Sequence, residues 1–268
     1  MNIADLTITS LETITAFDVV SDTYLFTLDE LQSATIENTQ DVEEITGKGG
    51  RKLAQLKRNK AVKVSGTNGM VSGGLLAAQT GSDFENKATK VLWTDYLTVK
   101  SNSATTSHVA VGTVGSEIDE LYIRNADGTL GAELTQAAEA SEGKFAYDPA
   151  TKKLTFSGIA DNKEVIVFYK RNIVADVLTN VSDIYSKKAK LYVDALAEDK
   201  CAHVFRIQFF IPKADFSGEF SIEMGDNQTV HEFEAESLAS ACASGGSNSA
   251  NLWTYTVFGE NAEDASES

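Results

Sequence analysis

The sequence predicts a mainly β protein with one or two short helices. Three observations predict it: apolar and polar residues alternate with period two, tight-turn pairs separate these segments, and helical periodicity is rare. With 268 residues, 42% of them hydrophobic and 23% charged, the chain has the composition of a globular protein. It is long enough to bury one large core or two modest ones.

Alternation marks the strands because successive side chains of a strand point to opposite faces of the sheet. Val, Ile, Thr, Phe and Tyr, which favour strands, are frequent in these segments. Two hairpins are marked by their turns, one at Asp127-Gly128 and one at Asp148-Pro149. The predicted strands cover residues 61–66, 90–100, 108–114, 164–172, 188–197, 203–212, 216–225 and 251–259.

Helical signals are few. Residues 71–79 can form a short helix despite two neighbouring glycines, and residues 229–244 suggest a strand that runs into a second short helix. The remaining chain offers little helical pattern, so helices are expected to flank a sheet rather than to build the core.

The domain organisation is predicted in three parts. Residues 1–100 form the first part of a β core and include a long loop at 45–60. Residues 101–187, which contain both hairpins, form an inserted β module or an extended excursion between two halves of the core. Residues 188–268 form the second part of the core and end in the acidic tail "ENAEDASES".

Charge is distributed unevenly along the chain, whose net charge is -16. Ten acids and no Lys or Arg precede Lys48, and eleven acids and no Lys or Arg follow Lys213. Seven cations and no acids lie between Lys48 and Lys63, within "ITGKGGRKLAQLKRNKAVKVSGTNG". This window could bind nucleic acid or be a solvated strand edge. We favour a third interpretation, in which it contacts an acidic surface of a neighbouring copy in a head-to-tail arrangement.

Catalytic and metal-binding motifs are not found in the sequence. It contains no HExxH or GxSxG motif, and "GKGGRK" lacks the spacing of a phosphate-binding loop. His108, His203 and His231 are far apart and are interpreted as structural, while Cys201 and Cys242 have no metal-ligand spacing and are interpreted as inert, reduced thiols. We therefore expect no enzymatic activity, no cofactor and no metal.

The sequence also predicts no export or membrane insertion. The first twenty residues contain acids and no Lys or Arg, unlike a secretory signal. No apolar run approaches the roughly 20 residues that cross a bilayer. We expect the protein to be made and kept inside a cell, or to assemble there.

Two stretches resemble the tail tube (major tail) proteins of long-tailed bacteriophages. They are "DVEEITGKGGRKLAQLKRNKAVKVSGTNGMVSGGLLAAQTGSDFE" and "SGEFSIEMGDNQTVHEFEAESLASAC" with its closing "LWTYTVFG". The resemblance implies a β-sandwich or β-barrel with a flanking helix. It also implies a structural virion protein whose six copies close into a ring, with rings stacked into a tube through which DNA passes.

The resemblance further implies a self-assembly loop from Thr46 to Asn59 and expected partners. The acidic segment Asp5 to Glu44 and the acidic tail become candidate complementary surfaces. Expected partners are other copies of the chain, the tape measure, the tail terminator and the baseplate or tail tip proteins, with no membrane, in a virion tail assembled in the host cytoplasm. The candidate inter-subunit residues are Thr46, Lys48, Arg51, Lys52, Lys57 and Arg58.

Two other functions are compatible with a β-rich chain. One is a capsid decoration protein or another virion β-domain, which would form isolated knobs or trimers. The other is a carbohydrate-binding β-sandwich, which would expose aromatic residues. The candidates for that role are Trp93, Tyr96, Trp253 and Tyr255, but the alternation around each favours a place in the core.

Overall fold

The computed structural model describes residues 5–225, 229–238 and 251–259. Strands predominate in them, so the predicted mainly β class is confirmed. The elements are β1 (Thr7–Asp18), β2 (Tyr24–Leu28), β3 (Leu31–Thr46), β4 (Lys52–Asn68), α1 (Gly73–Thr80), β5 (Glu85–Thr98), β6 (Ser103–Thr105), β7 (Ile118–Arg124), β8 (Leu130–Gln136), β9 (Lys144–Asp148), β10 (Lys153–Thr155), β11 (Glu164–Val177), β12 (Lys188–Glu198), β13 (Val204–Phe216), β14 (Ile222–Glu223), β15 (Val230–Ser237) and β16 (Thr254–Gly259).

The chain folds into two compact units. The first contains Met1–Phe84 and Leu178–Ser268, and the second contains Glu85–Val177. The sequence placed the bounds of the middle part at 101 and 187. The structure places them earlier, because β5 and β11 pair continuously from Glu85 opposite Val177 to Thr98 opposite Glu164.

The first unit is built on a single curled sheet with the strand order β2-β1-β12-β13-β15-β4-β3. Strand β14 pairs with β15, and β16 pairs with β13. Partly buried residues of β3, including Leu31 and Ile36, pack against the same core as Ile14 of β1 and Leu191 of β12. The sheet therefore curves around one apolar interior, as the predicted barrel-like core requires.

Helix α1 closes one side of this core; the predicted helix at 71–79 is confirmed, with its bounds displaced by one or two residues. Ser72 caps its N-terminus by accepting from the Leu75 N–H, and Gly81 ends it in the left-handed conformation at φ 76°. Leu75 and Ala78 are buried in the core of the first unit. Gly74 lies so close to β2 that a Cβ atom there would meet the Phe26 Cβ at 2.6 Å. The close packing of α1 on β2 therefore requires glycine at this position.

His231 links the helix to β15. Its Nε2 lies 2.8 Å from Gln79 Oε1, and its Nδ1 accepts from the Ser72 N–H at 3.4 Å. The Gln79 side chain donates in turn to the Glu232 carbonyl at 2.8 Å. Burial lowers the pKa of His231, so the ring is held neutral as a structural residue. In the segment predicted as strand then helix, Val230–Ser237 is strand and residues 239–244 lie outside the described ranges.

The second unit is a sheet with the strand order β5-β11-β7-β8-β9-β10-β6. Its pairs are antiparallel except β8 with β9. The buried carboxylate of Asp95 accepts from Tyr169 Oη at 2.8 Å, Ser107 N at 2.7 Å and Trp93 Nε1 at 3.1 Å. Burial opposes ionisation of Asp95, but these hydrogen bonds outweigh it and lower its pKa. The buried core of the second unit consists of Val99, Ala104, Ala110, Ile118, Leu121, Leu134, Phe145, Leu154, Phe156, Val165, Val167 and Tyr169.

Both predicted hairpins of this unit are confirmed, with β7–β8 around Gly128 and β9–β10 after Asp148. The strand predicted at 108–114 is wrong. There the Tyr169 hydroxyl accepts from the His108 N–H at 3.0 Å and the Tyr147 hydroxyl accepts from the Ala110 N–H at 2.9 Å. These side chains replace the ladder that a strand would need.

The strand predicted at 216–225 is also wrong over most of its length. Strand β13 ends at Phe216, and the next strand contains only Ile222–Glu223. Phe216 is the last apolar residue that this strand sends into the core. Regular pairing with β15 ends at Phe216 opposite Ala235 and is followed by one hydrogen bond from the Ser217 N–H to the Glu234 carbonyl at 2.8 Å.

The four aromatic residues expected in the core are instead partly exposed, between 36% for Trp93 and 66% for Tyr96. Alternation identifies residues on one face of a strand but does not show that the face is covered. Trp93 lies under the Arg171 guanidinium at 4.4 Å, and Tyr96 lies under that of Arg124 at 5.5 Å. In the second unit each of these cation–π contacts covers one face of the ring.

Candidate self-assembly arm

One hairpin of the first unit extends beyond the sheet that holds its base. Among the described residues, strand β15 pairs with β4 only from Val62 to Asn68, whereas β3 and β4 continue to pair with each other as far as Thr46 opposite Lys52. Residues 39–60, here called the arm, are solvent-exposed throughout except for the half-buried Gly47. The arm is thus a two-stranded ribbon with both faces in solvent.

The long loop predicted at 45–60 is therefore wrong: most of these residues form strands. Paired residues run from Asp41 opposite Arg58 to Ile45 opposite Ala54. The turn itself is short, with the Gly47 N–H donating to the Arg51 carbonyl at 2.8 Å. Gly49 and Gly50 have φ of 80° and 76°, which favours glycine at both positions.

The structure brings all six predicted site residues onto this arm. Thr46 ends β3, Lys48 and Arg51 lie in the turn, and Lys52 opens β4. Lys57 lies opposite Val42, and Arg58 lies opposite Asp41.

Two of the predicted cations are paired within the arm. Lys52 forms an ion pair with Glu44, and an Arg58 nitrogen lies 3.2 Å from a Glu43 carboxylate oxygen. The Asn59 amide also donates to Asp41 at 2.8 Å. Exposed pairs of this kind stabilise a protein by about 0–1 kcal/mol, so their main effect is to favour this register of the two strands.

The remaining arm cations have no ion-pair partner among residues 5–225, 229–238 and 251–259. These are Lys48, Arg51, Lys57 and Lys60. Residues 39–60 contain six cations and three acids, so the arm carries a net charge of +3 on a chain of net charge -16. Its unpaired cations are available to an acidic partner surface.

The predicted separation of an acidic N-terminal segment from a basic loop needs correction. Glu43 and Glu44 belong to the arm, where they pair with the cations just described. Asp5 and Asp22 form ion pairs with Lys200 and Lys190 inside the first unit. The acidic tail at 260–268 lies outside the described residues.

The arm also exposes four large apolar side chains that the sequence analysis did not single out. They are 38% to 67% exposed, and they are Val42, Ile45, Leu53 and Leu56. Leu53 packs over the turn, where a Cβ on Gly47 would meet its Cδ1 at 2.7 Å. These residues could have been found as apolar positions scattered through a stretch that is otherwise strongly charged.

A groove with acidic lining lies at the base of the same hairpin. Its floor includes Gly66 of β4 and Phe233 of β15, and three carboxylates surround it, those of Glu219, Glu232 and Glu234. Glu234 is bound by Lys63 at 2.7 Å. The first unit therefore carries both a basic, partly apolar projection and an acidic depression.

Comparison with known proteins identifies the family of this chain. Residues 6–252 match the model of the YomU/Tube protein family, which is nearly the whole sequence, including the second unit, the arm and most of the first unit. No curated protein matches the chain. No helix in the described part of the chain has both the length and the apolar character needed to cross a membrane.

Proposed function

We propose that this chain assembles into hexameric rings. The premise is that it belongs to the YomU/Tube protein family and is a tube-like structural protein of a phage tail. The rings stack into the tail tube and enclose the channel through which DNA passes. The subunit has no catalytic role in this proposal. The observation that carries it is the arm, a projection with no core of its own.

A two-stranded ribbon is at best marginally stable in water without a third strand or a packing partner. The arm nevertheless stays in register from Asp41 to Ile45 and exposes Leu53 and Val42 to solvent. Exposed apolar side chains grouped on one projection are typical of an interaction surface. A second subunit would supply the surface that the arm lacks.

The acidic groove at the base of the hairpin is our candidate for that surface. Lys48, Arg51 and Lys57 of one copy would approach the carboxylates of Glu219 and Glu232 of the next. Projection and groove lie on different parts of one unit, so the contact is heterologous, and such contacts build rings or open filaments. Charge complementarity would set register and orientation more than affinity.

The ends of the curled sheet support the same proposal. Within the described residues, β2 and β3 are its end strands, and each offers an unpaired backbone edge. Pairing edges between neighbouring copies would remove both edges and continue the sheet around a ring. A lumen of net negative charge would repel DNA and keep it mobile. The tape measure, tail terminator and baseplate or tail tip proteins would contact the ends and the inside of this tube.

Negative-stain electron microscopy of the purified protein, concentrated over a series of salt concentrations, tests the proposal. Hollow tubes or six-fold rings are expected, with assembly weaker at high salt because exposed charges are screened. Defined trimers or isolated globular oligomers would contradict it and would favour a capsid decoration protein.

A further inference from the structure

The loop that joins β12 to β13 brings three kinds of metal-binding side chain together. Asp199, Cys201 and His203 alternate along it, and their potential ligand atoms all lie within 4.8 Å of one another. The set offers one oxygen, one sulfur and one nitrogen donor. A search for spaced cysteine pairs or histidine pairs misses this arrangement, because each residue type occurs in the loop once.

The loop backbone explains why the three side chains converge. The Asp199 N–H donates to the His203 carbonyl at 3.1 Å, which closes a hairpin loop of three residues. Ala202 adopts the left-handed conformation at φ 62°, which non-glycine residues seldom adopt. In an extended strand, alternate residues would stand roughly 7 Å apart, so it is the reversal of the chain that clusters them.

Asp199 is held in place by the same loop. Its Oδ1 accepts from the Cys201 N–H at 2.7 Å and from the His203 N–H at 2.9 Å. Its Oδ2 lies 2.9 Å from His203 Nδ1. One carboxylate oxygen thus organises the backbone, while the other faces the imidazole and remains able to coordinate an ion.

The spacing suits a tetrahedral ion after small side-chain rotations. With bonds of about 2.0–2.3 Å, two ligands of a tetrahedral zinc ion lie roughly 3.3–3.7 Å apart. The Asp199 and His203 atoms, 2.9 Å apart, must move slightly apart, and Cys201 Sγ already lies within 4.8 Å of both. The His203 side chain is 70% exposed, and Cys201 is exposed, so both can rotate and the ion can enter from solvent.

We propose that Asp199, Cys201 and His203 bind a divalent cation of the zinc class, with the fourth position taken by water or by a ligand from outside the loop. Thiolate and imidazole favour zinc and similar transition metals, whereas calcium and magnesium favour oxygen ligands. The loop shares no residue with the arm, so the metal-site proposal can be tested independently of tube assembly.

The test uses cobalt(II), which replaces zinc in such sites and gives a thiolate-to-metal charge-transfer absorption. The reduced, full-length protein is titrated with cobalt(II), and zinc is then added to displace it. We expect the band in the wild type and in Cys242→Ser, which removes the other cysteine of the sequence, and we expect its loss in Cys201→Ser. Absence of the band in the wild type, or its persistence in Cys201→Ser, would overturn the proposal.

A second variant tests whether the thiol acts with its neighbours. His203→Gln is expected to weaken cobalt(II) binding by at least about tenfold, with an unchanged circular dichroism spectrum. His108→Gln is the matched control and should bind like the wild type. If His203→Gln binds cobalt(II) as tightly as the wild type, Cys201 is acting alone as an exposed thiol and the site does not exist.

Discussion

The base and the arm of one hairpin are made of the same two strands but have opposite relations to solvent. At the base, Val62 and Val64 are fully buried, β15 adds a third strand, and Ile36 packs on the core. In the arm, both faces are exposed, and within the part of the chain that the structure describes β15 does not extend beside it. The comparison shows that strand pairing continues where core packing stops, and in our proposal another subunit supplies the packing surface that the arm lacks.

The largest expected difference between the two regions is in the free energy of unfolding. Phe233→Ala removes a buried ring that packs against Gly66 at the base. We expect it to lower the free energy of unfolding by about 3–5 kcal/mol, whereas Leu53→Ala in the arm should change it by less than about 0.5 kcal/mol. Urea denaturation of the unassembled subunit measures both changes. Similar effects at the two sites would contradict the claim that the base is held by core packing and the arm is not.

The next effect concerns assembly. Lys57→Glu combined with Arg58→Glu reverses two arm charges and also sets the second glutamate near Glu43. We expect the protein concentration needed for assembly to rise at least about tenfold, equivalent to about 1.4 kcal/mol, with the subunit still folded. Sedimentation of assembled material measures this.

The control for that experiment is Lys144→Glu with Lys153→Glu, two exposed residues of the second unit. It makes the same change in net charge outside the arm. Equal loss of assembly in both double variants would mean that total charge matters and that the arm does not act as an electrostatic contact.

A pH effect is expected at His231 of β15, the strand that pairs with the base of the hairpin. The pKa of His231 is lowered in the folded protein by burial, so as pH falls below its ordinary value of 6.5 the unfolded chain takes up the proton first. The stability that the folded protein gains from a neutral His231 is complete above pH 6.5 and is lost as pH falls from 6.5 towards the lowered pKa. Urea denaturation at pH 7.5 and 5.5 should show the loss in the wild type and a smaller loss in His231→Gln. Identical pH dependence of the two proteins would contradict the assignment of this effect to His231.

The smallest expected effect is that of an ion pair within the arm. Glu44→Gln removes the charge that pairs with Lys52, both on exposed side chains. We expect the free energy of unfolding to change by less than about 0.5 kcal/mol. A loss above 1 kcal/mol would mean that the ribbon contributes to the stability of the free subunit.

Those parts of the fold that are half-buried were predictable from the sequence. Strand β12 alternates buried and partly exposed residues along its whole length, and its predicted range was correct to within one residue. Helix α1 was found from its local pattern, and the hairpin turns from Asp127-Gly128 and Asp148-Pro149. In each case burial or turn chemistry left a local signal.

What the sequence analysis missed has physical reasons. The arm has no period-two pattern because neither face is buried, so its strands were predicted as a loop. The pairing of Arg58 with Glu43 depends on strand register, which no local pattern specifies. The convergence of Cys201 and His203 depends on the left-handed Ala202. The charge of the window between Lys48 and Lys63 did locate the candidate site, although not its geometry.

Electron microscopy of the wild type beside a variant without the arm tests the central claim most directly. In this variant an Asn-Gly turn replaces residues 40–60, so that Thr39 and Ala61, which are already paired, remain in register. We predict tubes or six-fold rings from the wild type, and folded subunits without tubes from the variant. Tubes formed equally well by both proteins would contradict the claim that the arm joins the subunits.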